Sequence, residues 1–333
     1  MNAYWRDKKV LVTGGAGFIG SNISERLVSC GARVRIVDNF ERGREEYIEA
    51  IRSSAEIVRA DLRDPSACSA ACRDIDVVLH FASKVGGIGY YLSRPGEVIR
   101  DNCFIDMNIW KAALDARIGR FLYASSAHIY PIELQMTPDS PLIREEQDVP
   151  AHPELSYGWA KLFAEKVISY QAEEGMHTRA AIVRLIGVYG KNQDIELATG
   201  SAIPVFCRRA FEYPHKGPFV IWGTGKETRS YTFIDDAIDG MLLCVEKLDE
   251  LKFVGPLNIG TEDRYTIEEI AGAAIAASGK SIAIEKDTTK KTLIWGQAVD
   301  CKKAWSFLDW RPRVGLRDGV ARCYEDISRR LLS

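Results

Sequence analysis

Val10-Leu11-Val12-Thr13-Gly14-Gly15-Ala16-Gly17-Phe18-Ile19-Gly20 decides the fold of this chain. A short apolar run breaks into Gly14-x-x-Gly17-x-x-Gly20 and then opens a helix, predicted over 18–29. Such a turn lets backbone N–H groups and a helix N-terminus meet a diphosphate. The next apolar run, 33–37, ends in Asp38, roughly 20 residues past the glycines, where an acid accepts from an adenosine ribose 2′-hydroxyl. The same acid repels a 2′-phosphate, so the unit predicts NAD rather than NADP. Arg42 and Arg44 follow closely enough to blunt that preference. A plain strand–turn–helix with packing glycines is the bland alternative, and the intact order of strand, glycines, helix, strand and acid weighs against it.

Outward from this unit, apolar runs recur at 56–59, 77–81 and 121–124, with amphipathic stretches between them, notably 97–116. This alternation predicts an α/β chain with a Rossmann-type, doubly wound parallel sheet. Near-continuous apolar strands fit a sheet covered on both faces. Residues 1–187 form the predicted dinucleotide-binding domain. Residues 188–333 form a smaller mixed α/β substrate domain, with some segments returning to the first. Residues 131–155 carry five prolines and make a long loop just before a helix that starts near Tyr157. Loops of that length in compact domains are usually functional or disordered. A polar loop follows over 190–201, then short strands near 219–221 and 256–259 and helices near 234–247, 266–277 and 316–331.

Composition bounds the partners. The chain has 333 residues, 46% apolar and 27% charged, with a net charge of −2. A surface so nearly neutral argues against nucleic acid or an anionic membrane as partner. No apolar stretch approaches a membrane span. Trp5-Arg6-Asp7-Lys8-Lys9 has no signal-peptide character, which predicts a cytoplasmic protein. The eight cysteines are scattered, and Cys68 and Cys72 share helical spacing without a second ligand pair. They are predicted to be reduced thiols, and no metal site is expected.

The second informative feature is Tyr157-Gly-Trp-Ala-Lys161, a phenol and an ammonium on one helical face. A free tyrosine has a pKa of about 10, too high for a base near neutrality. A neighbouring ammonium and a positive nicotinamide both favour phenolate. Ser126, at the end of the fifth strand, is placed to share the proton on a substrate oxygen. The set predicts hydride transfer at an alcohol or ketone, with Tyr157, Lys161 and Ser126 as catalytic residues. His80, inside an apolar strand, reads as a core histidine. Glu145-Glu146 reads as a solvated pair, and Asp235-Asp236 as helix N-cap and first-turn chemistry.

The glycine loop, Ser125-Ser126, Tyr157/Lys161 and Asp235-Asp236 resemble an extended short-chain dehydrogenase/reductase over nearly the whole chain. Within that family the motifs resemble NAD-dependent sugar-nucleotide epimerases, dehydratases and reductases. The segments 81–88, 124–131 and 222–230 are similar to GDP-mannose 3,5-epimerases and GDP-fucose synthases. The resemblance implies a cofactor site at Gly14, Gly17, Phe18, Ile19, Gly20, Asp38, Asn39, Asp61, Leu62, Ala82 and Lys161. It implies a nucleotide-sugar site at Lys84, Gly86, Gly87, Ser126, His128, Ser201 and Arg229, with Arg229 on the diphosphate. It also implies a homodimer packed through the Tyr157 helix and the 97–116 helix. Trp159, Leu162, Phe163, Val167, Ile168 and Tyr170 give the former more apolar surface than one core face uses.

Departures shape the expected chemistry. His128 stands where those two enzymes carry an acid/base cysteine, and imidazole is a competent proton shuttle near neutrality. Ser201 falls where they carry a lysine or histidine. Gly187 and Gln297 replace a usual asparagine and arginine. His128 has two readings, general acid/base at C3 or C5 of a 4-keto sugar, or a histidine orienting the loop. Lys84 also has two, a cation that holds phosphate or positions His128, and a solvated lysine. The leading expectation is an epimerase working through a transient 4-keto sugar. A C4-epimerase, a keto-sugar reductase or dehydrogenase, and a non-catalytic NAD-binding scaffold are the alternatives.

Overall fold

The computed structural model describes residues 3–86, 88–290 and 294–332. Its centre is a sheet whose strands are β1 (Lys9–Thr13), β2 (Arg33–Asp38), β3 (Ala55–Arg59), β4 (Val77–His80), β5 (Arg120–Ser126), β6 (Arg179–Leu185) and the later strand Phe253–Ile259. Their spatial order is Phe253–Ile259, β6, β5, β4, β1, β2, β3. Every pairing in it is parallel. The order reverses between β1 and β4, the switch point where such sheets open a crevice for ligands.

Successive side chains of a strand point to opposite faces, and this explains the runs of apolar residues. Val10 and Val12 of β1 enter a layer with Ile23 and Leu27 of α1 (Phe18–Ser29) and with Ile238 and Met241 of the helix Ile234–Lys247. Leu11 enters the opposite layer, with Ile105 and Ile109 of α4 (Pro95–Asp115) and Ala164 and Ile168 of α5 (Ser156–Glu173). Two short helices, α2 (Pro65–Ala71) and α3 (Ile88–Ser93), complete the first half.

The proline-rich loop has structure of its own. Three single-turn 3₁₀ helices lie at Ala127–Ile129, Ile132–Gln135 and Glu145–Asp148. Arg184 of β6 anchors it from below, with its guanidinium on Glu165, on Asp148 at 2.7 Å and on the Glu145 carbonyl at 2.7 Å. Glu145 is not a solvated charge. It is 5% exposed and accepts the Asn258 N–H at 2.9 Å, whereas Glu146 is open to solvent. The expectation failed because a loop glutamate can pair with a buried strand end, and no local pattern reports that.

The strand Phe253–Ile259 rejoins the main sheet beside β6, while the rest of the second half forms small two- and three-stranded sheets. A helix at Ala202–Glu212 was absent from the pattern reading, although it buries Ile203, Val205, Phe206 and Ala210. In the helix Ile234–Lys247 the N-cap is Phe233, so Asp235 and Asp236 are first-turn residues only. Asp236 Oδ2 accepts the N–H groups of Arg313 and Val314, which ties down the chain before the last helix. All eight cysteines are free, and burial pushes the Cys68 and Cys72 thiols up to about 12. No described helix is long and apolar enough to cross a membrane, and no metal-ligand cluster occurs among the described residues.

Candidate active site

The glycine turn is built by close approach. Gly14 has φ +64°, and a Cβ there would lie 2.8 Å from the Ala82 backbone. A Cβ at Gly20 would lie 2.1 Å from the Gly14 carbonyl oxygen. Only glycine permits both the close approach of the turn to Ala82 and the tight seating of α1 on Gly14. Gly17 is the N-cap of α1 and no side chain caps it, so the first-turn N–H groups stay available to an anion.

Around this turn lies a cavity of about 970 Å³ at the carboxyl ends of the strands. Gly14, Gly17, Phe18, Ile19, Gly20, Asp38, Asn39, Asp61, Leu62, Ala82, Lys84, Gly86, Tyr157, Lys161 and Ser201 all line it. Ser126, His128 and Arg229 do not; they sit beyond Tyr157. Gly87 lies outside the described residues.

The residues fit a dinucleotide. Asp38 accepts the N–H groups of Ala16 at 3.0 Å and Phe40 at 2.8 Å, and burial raises its pKa. A Cβ at Gly43 would lie 2.7 Å from this carboxylate, so the Asp38 side of the cavity is closely packed. Arg42 is committed elsewhere, to Asp194 at 2.7 Å and the Val85 carbonyl at 3.1 Å. Asp61 is held by Arg63, whose side-chain hydrogen bonds draw its pKa down to about 2. Ser125 lines the cavity with a buried hydroxyl that has no partner among the described residues, the kind of orphan a ligand satisfies.

Tyr157 and Lys161 rest on α5, one turn apart. Lys161 Nζ lies 6.0 Å from the Tyr157 ring centroid and 4.6 Å from that of Tyr123. Its charge partner is Asp106 of α4, with Oδ1 at 3.5 Å. Asp106 also accepts from His80 Nε2 at 2.9 Å and Tyr123 Oη at 2.6 Å. His80 Nδ1 is 2.6 Å from Thr13 Oγ1, whose oxygen already receives the Phe81 and Ala82 N–H groups. The Thr13 hydroxyl therefore donates to Nδ1, and the Nε2–H of His80 donates to Asp106. His80 is the buried core histidine its strand implied, and it helps to hold Asp106.

The phenol departs from expectation. Its pKa is raised, not lowered, by burial first and by Asp106 second. Ser83 and Ser126 hydrogen-bond to it and pull the other way. The Lys161 ammonium, 6.0 Å from the ring centroid, has the opposite charge of Asp106 beside it at 3.5 Å. Lys84 is ion-paired with Glu41 and lies 4.0 Å from Glu97. The Ser201 hydroxyl accepts from the Gln193 amide at 2.8 Å.

Beside Tyr157 stands His128, with ring centroids 6.1 Å apart and planes at 75°. Gly158 makes this possible, since a Cβ there would lie 2.1 Å from the His128 carbonyl oxygen. Burial and the Arg229 charge draw the imidazole pKa down to about 4, so it is neutral at pH 7. Arg229 donates to the carbonyls of Thr228 and Ile294, at 2.7 and 2.9 Å. At Gly187, φ is +50° and a Cβ would lie 2.1 Å from the Ser230 carbonyl oxygen, so a larger residue there would displace the Arg229 segment. Gln297 is buried, and its side-chain nitrogen has no partner among the described residues.

Pattern reading placed Ser83 at the border of the cofactor site but not on the Tyr157 phenol, and it missed Asp106 and Glu154. Asp106 had a signal, a carboxylate on the apolar stripe of Ile105, Ile109 and Ala113. Glu154 had none, because the fold of a proline-rich loop brings it to His128.

The chain matches known proteins along most of its length. The model of a family described as "NAD dependent epimerase/dehydratase family" matches residues 10–260. GDP-mannose 3,5-epimerase of Arabidopsis thaliana is 30% identical over 324 residues, covering 96% of this chain and 83% of that protein. UDP-glucuronic acid decarboxylase 1 of the same plant is 27% identical over 335 residues, covering 98% of this chain and 71% of its own. The structure of UDP-glucose 4-epimerase from Thermotoga maritima superposes with a TM-score of 0.83 at 24% identity, covering 98% and 100% of the two chains, and shares the fold. The match runs from β1 and its glycine turn through the Tyr157/Lys161 helix to the end of the strand Phe253–Ile259, and the chain belongs to the NAD dependent epimerase/dehydratase family.

Proposed function

We propose that this protein is an NAD-dependent sugar-nucleotide epimerase that works through a transient 4-keto sugar and inverts C3, C5 or both. The observation that carries the reading is the neutral imidazole of His128 beside Tyr157. The relatives named GDP-mannose 3,5-epimerase support it. Bound NAD supplies a hydride acceptor for sugar C4 and the hydride that later restores it. Gly14, Gly17, Phe18, Ile19, Gly20, Asp38, Asn39, Asp61, Leu62 and Ala82 hold the dinucleotide, and Lys161 its nicotinamide end. Residues 188–333 supply most of the nucleotide-sugar site, with Arg229 on the diphosphate and Lys84, Gly86 and Ser201 at the cavity mouth.

Tyr157 takes the C4 hydroxyl proton, and Ser126 shares the substrate oxygen. Burial opposes the phenolate this needs, so a cationic neighbour must join Ser83 and Ser126 in favouring it. The C4 carbonyl acidifies the protons on C3 and C5. His128 takes one of them, because a neutral imidazole is a base.

Inversion at C4 alone is the second reading. The Ser201 hydroxyl, engaged by Gln193, offers no second base at its position. Mass spectrometry of nucleotide sugars incubated with the protein in D₂O separates the two. Deuterium gained at C3 or C5 supports the first. A new stereoisomer without deuterium supports C4 inversion and removes His128 from the chemistry.

The proposed assembly is a homodimer. Phe104 of α4 and Trp159, Phe163 and Tyr170 of α5 are 53%, 41%, 49% and 61% exposed, whereas Leu162 and Ile168 belong to the core. Light scattering that gives a monomer at micromolar concentration contradicts it.

A further inference from the structure

Two polar groups beyond Tyr157 stand close together without a hydrogen bond between them. His128 Nδ1 is buried and has no hydrogen-bond partner among the described residues. The Glu154 side chain is 5% exposed, and no hydrogen bond reaches its carboxylate among the described residues. They face each other, with Glu154 Oε2 3.9 Å from His128 Nδ1. The imidazole is 39% exposed overall, so its open edge is not the Nδ1 edge. A structural His–Glu pair would be hydrogen-bonded. Leaving both groups short costs free energy, and such orphans cluster where a ligand completes the site.

We propose that Glu154 and His128 form a carboxylate–imidazole dyad, in which Glu154 accepts from Nδ1–H and leaves Nε2 as the base that meets the sugar. The choice of sugar rests on the epimerase reading above; the pairing does not. A shift of about 1 Å brings the two atoms to hydrogen-bonding distance. Glu154 is a positioning residue, since it acts through His128. It selects the tautomer with a free Nε2 and stabilises the imidazolium as it forms.

The dyad answers a difficulty at this site. Burial and Arg229 make His128 a weak base in the free protein. Once drawn to hydrogen-bonding distance in the loaded site, a carboxylate at Nδ1 opposes both causes. An anionic group on Arg229, such as a diphosphate, removes the second cause.

The proton step balances. The C–H bond next to the C4 carbonyl breaks, and its electron pair forms the enolate. The proton goes to His128 Nε2, while Nδ1–H stays on Glu154. Return of that same proton restores the carbon without label, and return after Nε2 has exchanged with solvent restores it with label. A proton from water on the opposite face inverts the carbon and brings in solvent hydrogen, and the hydroxide left behind takes the proton from His128 Nε2.

Two readouts test the pairing. In ¹⁵N-histidine-labelled free protein, His128 should be the Nδ1–H tautomer, and Glu154→Ala should convert it to Nε2–H. With a nucleotide sugar that exchanges, Glu154→Gln, which keeps the side-chain volume, should slow deuterium uptake about tenfold or more with KM little changed. Nε2–H in the unaltered protein, a tautomer indifferent to Glu154→Ala, or uptake undiminished in Glu154→Gln each overturns the dyad. A tautomer that switches as stated, with no sugar of the panel taking up deuterium, supports the dyad and instead defeats the epimerase reading.

Discussion

Lys161 Nζ and Asp106 Oδ1 face each other at 3.5 Å with side chains only 2% and 1% exposed. Burial opposes the charge on Asp106, but Lys161, His80 and Tyr123 outweigh it and hold its pKa below the usual carboxylate range. Asp106→Asn leaves the ammonium buried and unpaired, which should cost about 3–5 kcal/mol in urea denaturation. A carboxyl with a depressed folded-state pKa stabilises above its unfolded value and loses that contribution as pH falls through the folded one. The unaltered protein should therefore lose stability below pH ~4 more steeply than Asp106→Asn. The same variant should lower the Tyr157 pKa, since Asp106 raises it. The difference in tyrosinate absorbance between each protein and its Tyr157→Phe counterpart reads that shift, and an unmoved midpoint counts against the charge coupling.

The Arg229 guanidinium acts on His128 through charge alone, without a hydrogen bond between them among the described residues. The His128 ring proton resonances should titrate near pH 4, far below an ordinary histidine. Arg229→Gln should raise the midpoint. Between the folded value and the unfolded one of about 6.5, the unfolded chain binds more protons. Stability should thus fall as pH drops through that window, and less so in Arg229→Gln. A midpoint near 6.5 in the unaltered protein contradicts the burial and charge argument.

Gly158 lets α5 begin under the 127–129 turn, with the position of its absent Cβ also 2.8 Å from Pro153 Cβ. Gly158→Ala must move the His128 backbone carbonyl, which is not the end of a flexible side chain. Overpacking of this kind costs about 1–3 kcal/mol. Turnover should fall by more than the stability loss explains, because Tyr157 and His128 shift relative to each other. Cofactor affinity should stay, since the glycine turn is untouched. Loss of NAD binding together with turnover would point to a wider rearrangement.

The fold was legible because its signals are local. β1, the glycine turn and α1 lie within about one supersecondary unit, and two-sided burial of the strands writes itself as continuous apolar runs. Tyr157 and Lys161 were legible for the same reason, being one helical turn apart. The residues that set their electrostatics were not. Asp106 reaches Lys161 from another helix, and Glu154 reaches His128 from a loop whose path depends on Arg184, Asp148 and Asn258. Burial and Asp106 raise the Tyr157 pKa, whereas the lowering was expected from an ammonium and a bound nicotinamide together; the neighbour of Lys161 cannot be read from the spacing of Tyr157 and Lys161. The amphipathic helix Ala202–Glu212 escaped notice because Pro204 sits in its first turn, a position that breaks a pattern without breaking a helix.

Cofactor choice rests on Asp38 and on the occupation of Arg42. The Asp38 carboxylate lines the cavity between the Ala16 and Phe40 N–H groups, where a 2′-phosphate would meet a like charge. Arg42, a cation that lines the same cavity, is drawn to Asp194. Asp38→Asn should move the ratio of NADP to NAD affinity toward NADP by about tenfold, or about 1.4 kcal/mol, in calorimetric titration. Asp194→Asn in the same chain should move it further, by releasing the Arg42 guanidinium, whose fork suits phosphate. If Asp38→Asn weakens both dinucleotides equally, the carboxylate serves the turn through Ala16 and Phe40 and does not select the ribose. If the second substitution adds nothing, the Arg42–Asp194 pair has no part in the choice.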